Sequence, residues 1–267
     1  MGRLTAYLIE QFRLWDRRAQ AGLLIALVLM IPALITAAAG PQNLRMPATV
    51  GFMGLIISAQ VIIMWANRGM VTDYTQAQRF YLDGDFAAAR DLLERMRARD
   101  QERSRTDFRA LTLLGNTYRQ LGDLERSAAV LSEAVNNAPN HYFSLYGFGR
   151  TLLVQGRYQQ AADTLEQALA NGAAPAIQTD AGEAHYRSGD FERAQHRLLG
   201  GQEAAASEPH RALMTAWLLH RLGHSAPPSA DVIAAGLPYW QAQARLFAET
   251  PYGADLAADL SDLQGMA

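Results

Sequence analysis

The chain has 267 residues, about half of them apolar, with 24 basic and 26 acidic side chains and no cysteine. That length allows one sizeable domain plus an appendage, and the lack of cysteine excludes disulfides, thiolate catalysis and sulfur-ligated metals. Every basic residue is arginine, and after Asn67 there are 19 arginines against 24 acidic residues, a mildly acidic balance that argues against nucleic-acid binding.

Residues 1–18 come first. Leu4, Tyr7, Leu8, Phe12 and Trp15 share one helical face, with Glu10, Arg13 and the Asp16–Arg18 cluster largely elsewhere. This pattern predicts an amphipathic helix lying in a membrane interface with Trp15 at headgroup depth, or one packed on a partner subunit.

Residues 19–67 form the next segment. No charge occurs from Ala19 to Leu44 or from Met46 to Asn67, and each run is long enough at helical rise to cross a bilayer. Two spans are expected, at about 21–39 and 48–66, joined by a tight turn containing Gly40, Pro41 and Pro47. A cleaved signal peptide is the competing reading, since Ala37 and Ala39 are small, but its charged leader would be unusually long. Arg3, Arg13, Arg17 and Arg18 precede the first span, Arg68 and Arg79 follow the second, and Arg45 alone lies between. By the positive-inside rule both termini are expected on the cytoplasmic side of a bacterial inner membrane. Pro32 is expected to kink the first span. Gln60 is expected to hydrogen-bond across a helix interface, either within the hairpin or to another subunit, and Gly51, Gly54 and Ser58 to make contacts between the spans and a partner.

Past residue 70 the chain repeats itself. "DGDFAAARDLL", "LGDLERSAAVL", "QGRYQQAADTL" and "SGDFERAQHRL" share a turn glycine. Gly84, Gly122, Gly156, Gly189 and Gly223 are spaced by 38, 34, 33 and 34 residues. Such a period belongs to stacked helical hairpins, each of which needs its neighbours to bury its apolar stripe.

These residues resemble tetratricopeptide repeats. In the unit starting at Phe108, Leu111 stands at the usual tryptophan position, Leu114 and Gly115 at the Leu-Gly pair and Tyr118 at the aromatic, with Ala134 and Pro139 completing the pattern. The next unit keeps Gly149, Gly156, Ala161, Leu165 and Ala168; the fourth keeps Gly182, Gly189, Ala194 and Leu198, with His185 in the aromatic slot. The resemblance covers about 71–224, with degenerate first and fifth units. It implies an inner binding surface lined by Thr112, Asn116, Arg119, Gln120, Phe143, Tyr146, Arg150, Leu153, Glu183, Tyr186 and Arg187, with Val154 and Thr179 beside them. These residues either meet a protein partner or pack against the chain's own carboxy-terminal helices. Chaperone-binding members clamp a terminal carboxylate with lysines, arginines and asparagines. Asn116 matches one such position, but Gly147 replaces a second asparagine and lysine is missing, so that mode is not expected. Residues 225–267 are expected to cap the solenoid through Trp240, Ala244 and Phe247.

No phosphate loop, metalloprotease motif or nucleophile elbow is found. His220 and His224, four apart, flank the turn at Gly223 and read as solvated turn residues rather than a metal pair, and His185 reads as a packed substitute for the repeat's aromatic. Residues 94–109 carry six arginines against four acids, read as a solvated charged helix or, less favourably, a lipid-headgroup contact. The sequence thus predicts an all-α protein: an N-terminal two-helix transmembrane hairpin, then an α-solenoid of about five helix pairs. The function expected is a non-enzymatic, membrane-anchored scaffold, binding protein partners and membrane lipid, with no cofactor, metal or nucleic acid. The alternatives are a permanent accessory subunit held by its spans or, remotely, an enzyme with an unrecognised site.

Overall fold

A computed structural model describes residues 15–102 and 106–266, apart from the side chains of residues 67–72. The chain divides into two compact units, Met1–Ala77 and Gln78–Ala267. Among the described residues there are twelve helices and no strand. The interfacial helix expected over residues 1–18 falls almost wholly outside the described residues; Trp15, at its end, is buried.

The first unit holds α1 (Arg17–Ala39) and the greater part of α2 (Gln42–Leu82). Both helices begin earlier than the expected spans, so the connection shrinks to Gly40 and Pro41. Arg45, the charge between the spans, folds back so that its Nε donates to Gly40 O at 2.9 Å. The helices lie side by side where a Cβ added at Gly22 would meet Ile62 Cδ1 at 3.4 Å. Alanines 19, 26 and 59 are buried, whereas Leu24, Val28, Ile31, Val50, Ile57 and Met64 are exposed along the pair. Arg17–Ala39 and Gln42–Ala66 are each long and apolar enough to cross a membrane, and only 6% and 0% of their most apolar windows are buried.

The second unit begins with the last turn of α2 and continues through α3 (Phe86–Glu102), α4 (Phe108–Gln120), α5 (Leu124–Asn137), α6 (Tyr142–Val154), α7 (Tyr158–Ala170), α8 (Ile177–Ser188), α9 (Phe191–Ala205) and α10 (Pro209–Arg221). The recurrent turn glycine explains the hairpins. Gly84, Gly122, Gly156, Gly189 and Gly223 have φ between 76° and 86°, a left-handed conformation that glycine adopts without a Cβ penalty. After Gly84, Gly122 and Gly189 an aspartate caps the next helix: Asp85 accepts from Ala88 N at 3.0 Å, Asp123 from Arg126 N at 3.2 Å and Asp190 from Arg193 N at 3.2 Å. Within a pair the helices approach through the other repeat glycines. A Cβ at Gly149 would lie 2.7 Å from Leu165 Cγ, and one at Gly182 would lie 2.7 Å from Leu198 Cγ. The charged stretch 94–109 is not one helix: α3 ends at Glu102, and Asp107 caps α4 by accepting from Arg109 N at 2.9 Å.

The last two helices do more than cover the final hairpin. α11 (Ala230–Leu246) starts on α10, where Trp240 Nε1 donates to His210 O at 2.7 Å, and ends beside the α4–α5 turn, with Leu246 Cδ1 3.9 Å from where a Cβ on Gly122 would sit. α12 (Pro251–Gln264) starts against the α6–α7 turn at Gly156 and runs to α10, where Arg221 Nη1 reaches Asp262 Oδ2 at 3.0 Å. Both therefore lie over the face made by the first helices of the pairs. Tyr252, Leu256, Leu260 and Leu263 join the core around Trp217 and Leu213.

Candidate functional site

The first helices of successive pairs, α4, α6, α8 and α10, are tied to one another along the inner face. Thr112 Oγ1 lies 2.6 Å from Ser144 Oγ. Asn116 is buried and faces Gly147: a Cβ there would come within 2.8 Å of Asn116 Oδ1. The glycine at that position thus makes room for the asparagine of the preceding helix. Arg150 Nη1 donates to Asp180 Oδ1 at 2.7 Å and lies 3.5 Å from Glu183 Oε2. Arg211 pairs with the other oxygen of Asp180 and donates to Tyr146 Oη at 2.9 Å.

Between this face and α11 lies a cavity of about 230 Å³. Arg119, Tyr146, Arg150, Asp180, Glu183 and Arg211 form its polar wall, and Tyr81, Tyr239, Trp240 and Phe247 its aromatic one. The wall carries three guanidinium groups against two carboxylates. Burial lowers the Arg119 pKa, and nearby Arg150 adds to the effect. Burial also raises the Glu183 carboxyl, outweighing Arg187 and Arg150. His210 lines the cavity and packs tilted against Tyr239 with ring centroids 4.2 Å apart; burial and Arg211 lower its pKa.

Of the eleven expected inner-face residues, Arg119, Gln120, Tyr146, Arg150 and Glu183 line this cavity. The others are distributed differently. Thr112, Asn116 and Leu153 are buried between helices, and Phe143 is exposed. Tyr186 is half-buried against Phe191, with ring centroids 5.6 Å apart. Arg187 is held by the carboxy-terminal helix: Nη2 pairs with Asp259, whose other oxygen accepts from Trp217 Nε1 at 2.9 Å. Tyr252 Oη donates to Glu183 Oε1 at 2.9 Å, and Tyr158 Oη to Asp255 Oδ2 at 2.5 Å. A large part of the expected groove is therefore filled by the chain's own α11 and α12.

Sequence reasoning missed Asp180, Arg211, Tyr239 and Gln243, which complete the cavity. A buried-looking aspartate amid Thr179, Ala181 and Gly182 was a signal for the first; the others depend on where α11 lands. His185 is buried with Nε2 3.1 Å from Glu166 Oε1. His220 Nδ1 lies 3.0 Å from Ser225 O and His224 Nδ1 lies 3.3 Å from Gln195 Nε2, each within a turn environment. In the hairpin, Gly51 and Gly54 have open space where a Cβ would be, and Ser58 Oγ donates back to Gly54 O at 2.8 Å. Gln60 is exposed and has no hydrogen-bond partner among the described residues.

Stacked helix pairs turning on left-handed glycines, with an inner face built from the first helix of each, define a helical-repeat solenoid. Family models agree: tetratricopeptide-repeat models match residues 70–95 and 146–199, and the model for anaphase-promoting complex, cyclosome, subunit 3 matches residues 92–168. The chain thus carries tetratricopeptide-type repeats within residues 70–199. Among solved structures, it is similar to a thermophilic tetratricopeptide-repeat protein of Thermus thermophilus, at 18% identity and a TM-score of 0.50 over 72% of this chain and 97% of that one. It is also similar to MamA of Desulfovibrio magneticus, at 18% identity and a TM-score of 0.48 over 73% of this chain and 94% of that one. No curated protein sequence matches the chain.

Proposed function

We propose that this chain is a membrane-anchored scaffold: the hairpin fixes it in the bilayer and the solenoid offers its outer and rim surfaces to a protein partner, assembling or stabilising a membrane complex. One observation carries the reading. The aliphatic side chains of two adjacent helices are left uncovered over a length that matches a bilayer, with 6% and 0% of their apolar windows buried. In water that surface would far exceed the apolar patches that soluble monomers tolerate. Repeat solenoids use their extended surfaces to bind other proteins, and here α11 and α12 already occupy much of the inner face. Phe143, exposed at the start of α6, is then the inner-face candidate best exposed to a partner. The arginine distribution supports cytoplasmic termini.

The test is alkaline carbonate extraction of membranes from cells expressing the full chain, followed by gentle detergent extraction and identification of co-purifying proteins. Retention in the carbonate pellet and recovery of a partner that Phe143→Ala weakens are expected. Release by carbonate would refute the anchor, and recovery as a lone monomer would refute the scaffold.

A second reading, an accessory subunit held through its spans, is favoured by the uncovered Gly51, Gly54 and Ser58 face and by Gln60 having no hydrogen-bond partner among the described residues. It expects Gln60→Leu to lose the partner and Phe143→Ala to keep it.

A further inference from the structure

The cavity beneath α11 contains a cation that the chain itself does not neutralise. Arg119 makes all its hydrogen bonds through Nη1, to Asn116 Oδ1 at 2.8 Å, Gly147 O at 3.1 Å and Thr151 Oγ1 at 3.4 Å. Each of those acceptors is neutral. The Nε–Nη2 edge, the fork that suits a carboxylate, has no hydrogen bond among the described residues. The contrast with its neighbours is sharp, because Arg150 and Arg211 share Asp180, and Arg150 also faces Glu183. Arg119 is half-buried, so this edge faces the cavity with no carboxylate of the solenoid paired to it.

The surroundings define what kind of group that edge suits. Tyr146 Oη accepts from Arg211 Nη2 at 2.9 Å, which leaves its own proton to donate to an anion. The lining carries one more arginine than carboxylate, so a monoanion balances it and a dianion would leave a charge uncompensated. Tyr81, Tyr239, Trp240 and Phe247 provide apolar faces for whatever carries that charge. The volume, about 230 Å³, lies below the roughly 300–1,000 Å³ of pockets that take drug-sized ligands. With α11 laid over it, the space has the size of one small molecule rather than of an extended peptide.

We propose that this cavity is a binding site for a small organic monocarboxylate with an aromatic or branched apolar body, its carboxylate forked onto Arg119 and bonded by the Tyr146 hydroxyl. The site lies wholly in the solenoid, so the proposal goes beyond the membrane-scaffold reading and stands or falls separately from it. Because α11 walls the cavity, occupancy couples a small-molecule signal to the helix that covers the inner face.

Titration of the full chain in detergent micelles with sodium benzoate, followed by calorimetry and by the fluorescence of Trp240, tests this directly. Saturable binding is expected, with benzamide weaker by roughly tenfold or more because it cannot accept the charged fork. Arg119→Gln should weaken benzoate by a similar factor while its amide keeps a donor for Asn116 and Gly147. Should that variant not fold, Tyr146→Phe, which removes one hydroxyl, gives the same readout at a smaller fold-change. The proposal is overturned if benzoate and acetate both fail to saturate the wild-type chain, or if benzamide equals benzoate. It is equally overturned if inorganic phosphate binds more tightly, or if a tripeptide with a free terminal carboxylate outcompetes benzoate, which would make the site a peptide-end receptor.

Discussion

Asp259→Ala is the most informative single substitution in the solenoid. Its carboxylate serves two buried partners on different helices, Arg187 of α8 and Trp217 Nε1 of α10, and the side chains of Arg187 and Asp259 are 6% and 7% exposed. Removing one member of a buried pair typically costs about 3–5 kcal/mol, because the remaining charge is left in a desolvated site. Arg187 keeps Glu183 at 3.7 Å, which offsets part of that loss, while the orphaned indole N–H adds to it, so the same range of about 3–5 kcal/mol stands as the total. For a unit the size of Gln78–Ala267 that corresponds to a fall of about 6–20 °C in melting temperature. Denaturant unfolding followed by tryptophan emission measures it, with Trp217 reporting locally through a red shift if α12 lifts off. A loss below about 1 kcal/mol, the range of exposed ion pairs, would refute the reasoning and mean that α12 is not seated on the inner face. The paired replacement Arg187→Met with Asp259→Leu separates charge from packing. It should recover more than half of the loss, since an apolar pair in that volume leaves no charge behind.

Gly149→Ala and Gly182→Ala should each cost about 1–3 kcal/mol by overpacking against Leu165 and Leu198, whereas Gly51→Ala, which meets open space, should leave the isolated chain's stability unchanged; urea midpoints decide. Arg197→Met addresses an outer-face pair. Burial alone would raise the Glu166 carboxyl, but hydrogen bonds from Arg197 and His185 outweigh it and leave the pKa lowered. A lowered folded-state pKa stabilises above the ordinary carboxyl value of 4.5, and that contribution is lost as pH falls through the folded value. The wild-type advantage over Arg197→Met should thus be present at pH 7 and close below about pH 4.5 in a series of urea titrations.

The order of the helices was legible because it depends on local chemistry. Charge-free runs of bilayer length, a period near 34 residues and Gly-Asp turn signals act within a few residues of where they stand, and the left-handed glycines fall where the repeat spacing put them. The glycine-on-leucine approaches inside each pair follow from the same register.

What the sequence could not fix was the fate of the inner face. Glu183 and Arg187 carry the polarity of a partner-facing surface, and only the approach of Tyr252 and Asp259 from residues 69 and 72 positions away makes them interior. Arg119 has the opposite history. Its position in the repeat predicted the inner face, but that Arg150 and Arg211 would share Asp180 while Arg119 took only neutral acceptors is a matter of side-chain reach across three helices. Residue type and spacing alone determined an all-α chain with two bilayer-length apolar helices and a repeat solenoid. The packing of α11 and α12 alone decided which of its polar residues became core, and which one was left facing a cavity without a counter-charge. Burial and pairing are properties of neighbours distant in sequence, and no local pattern encodes them.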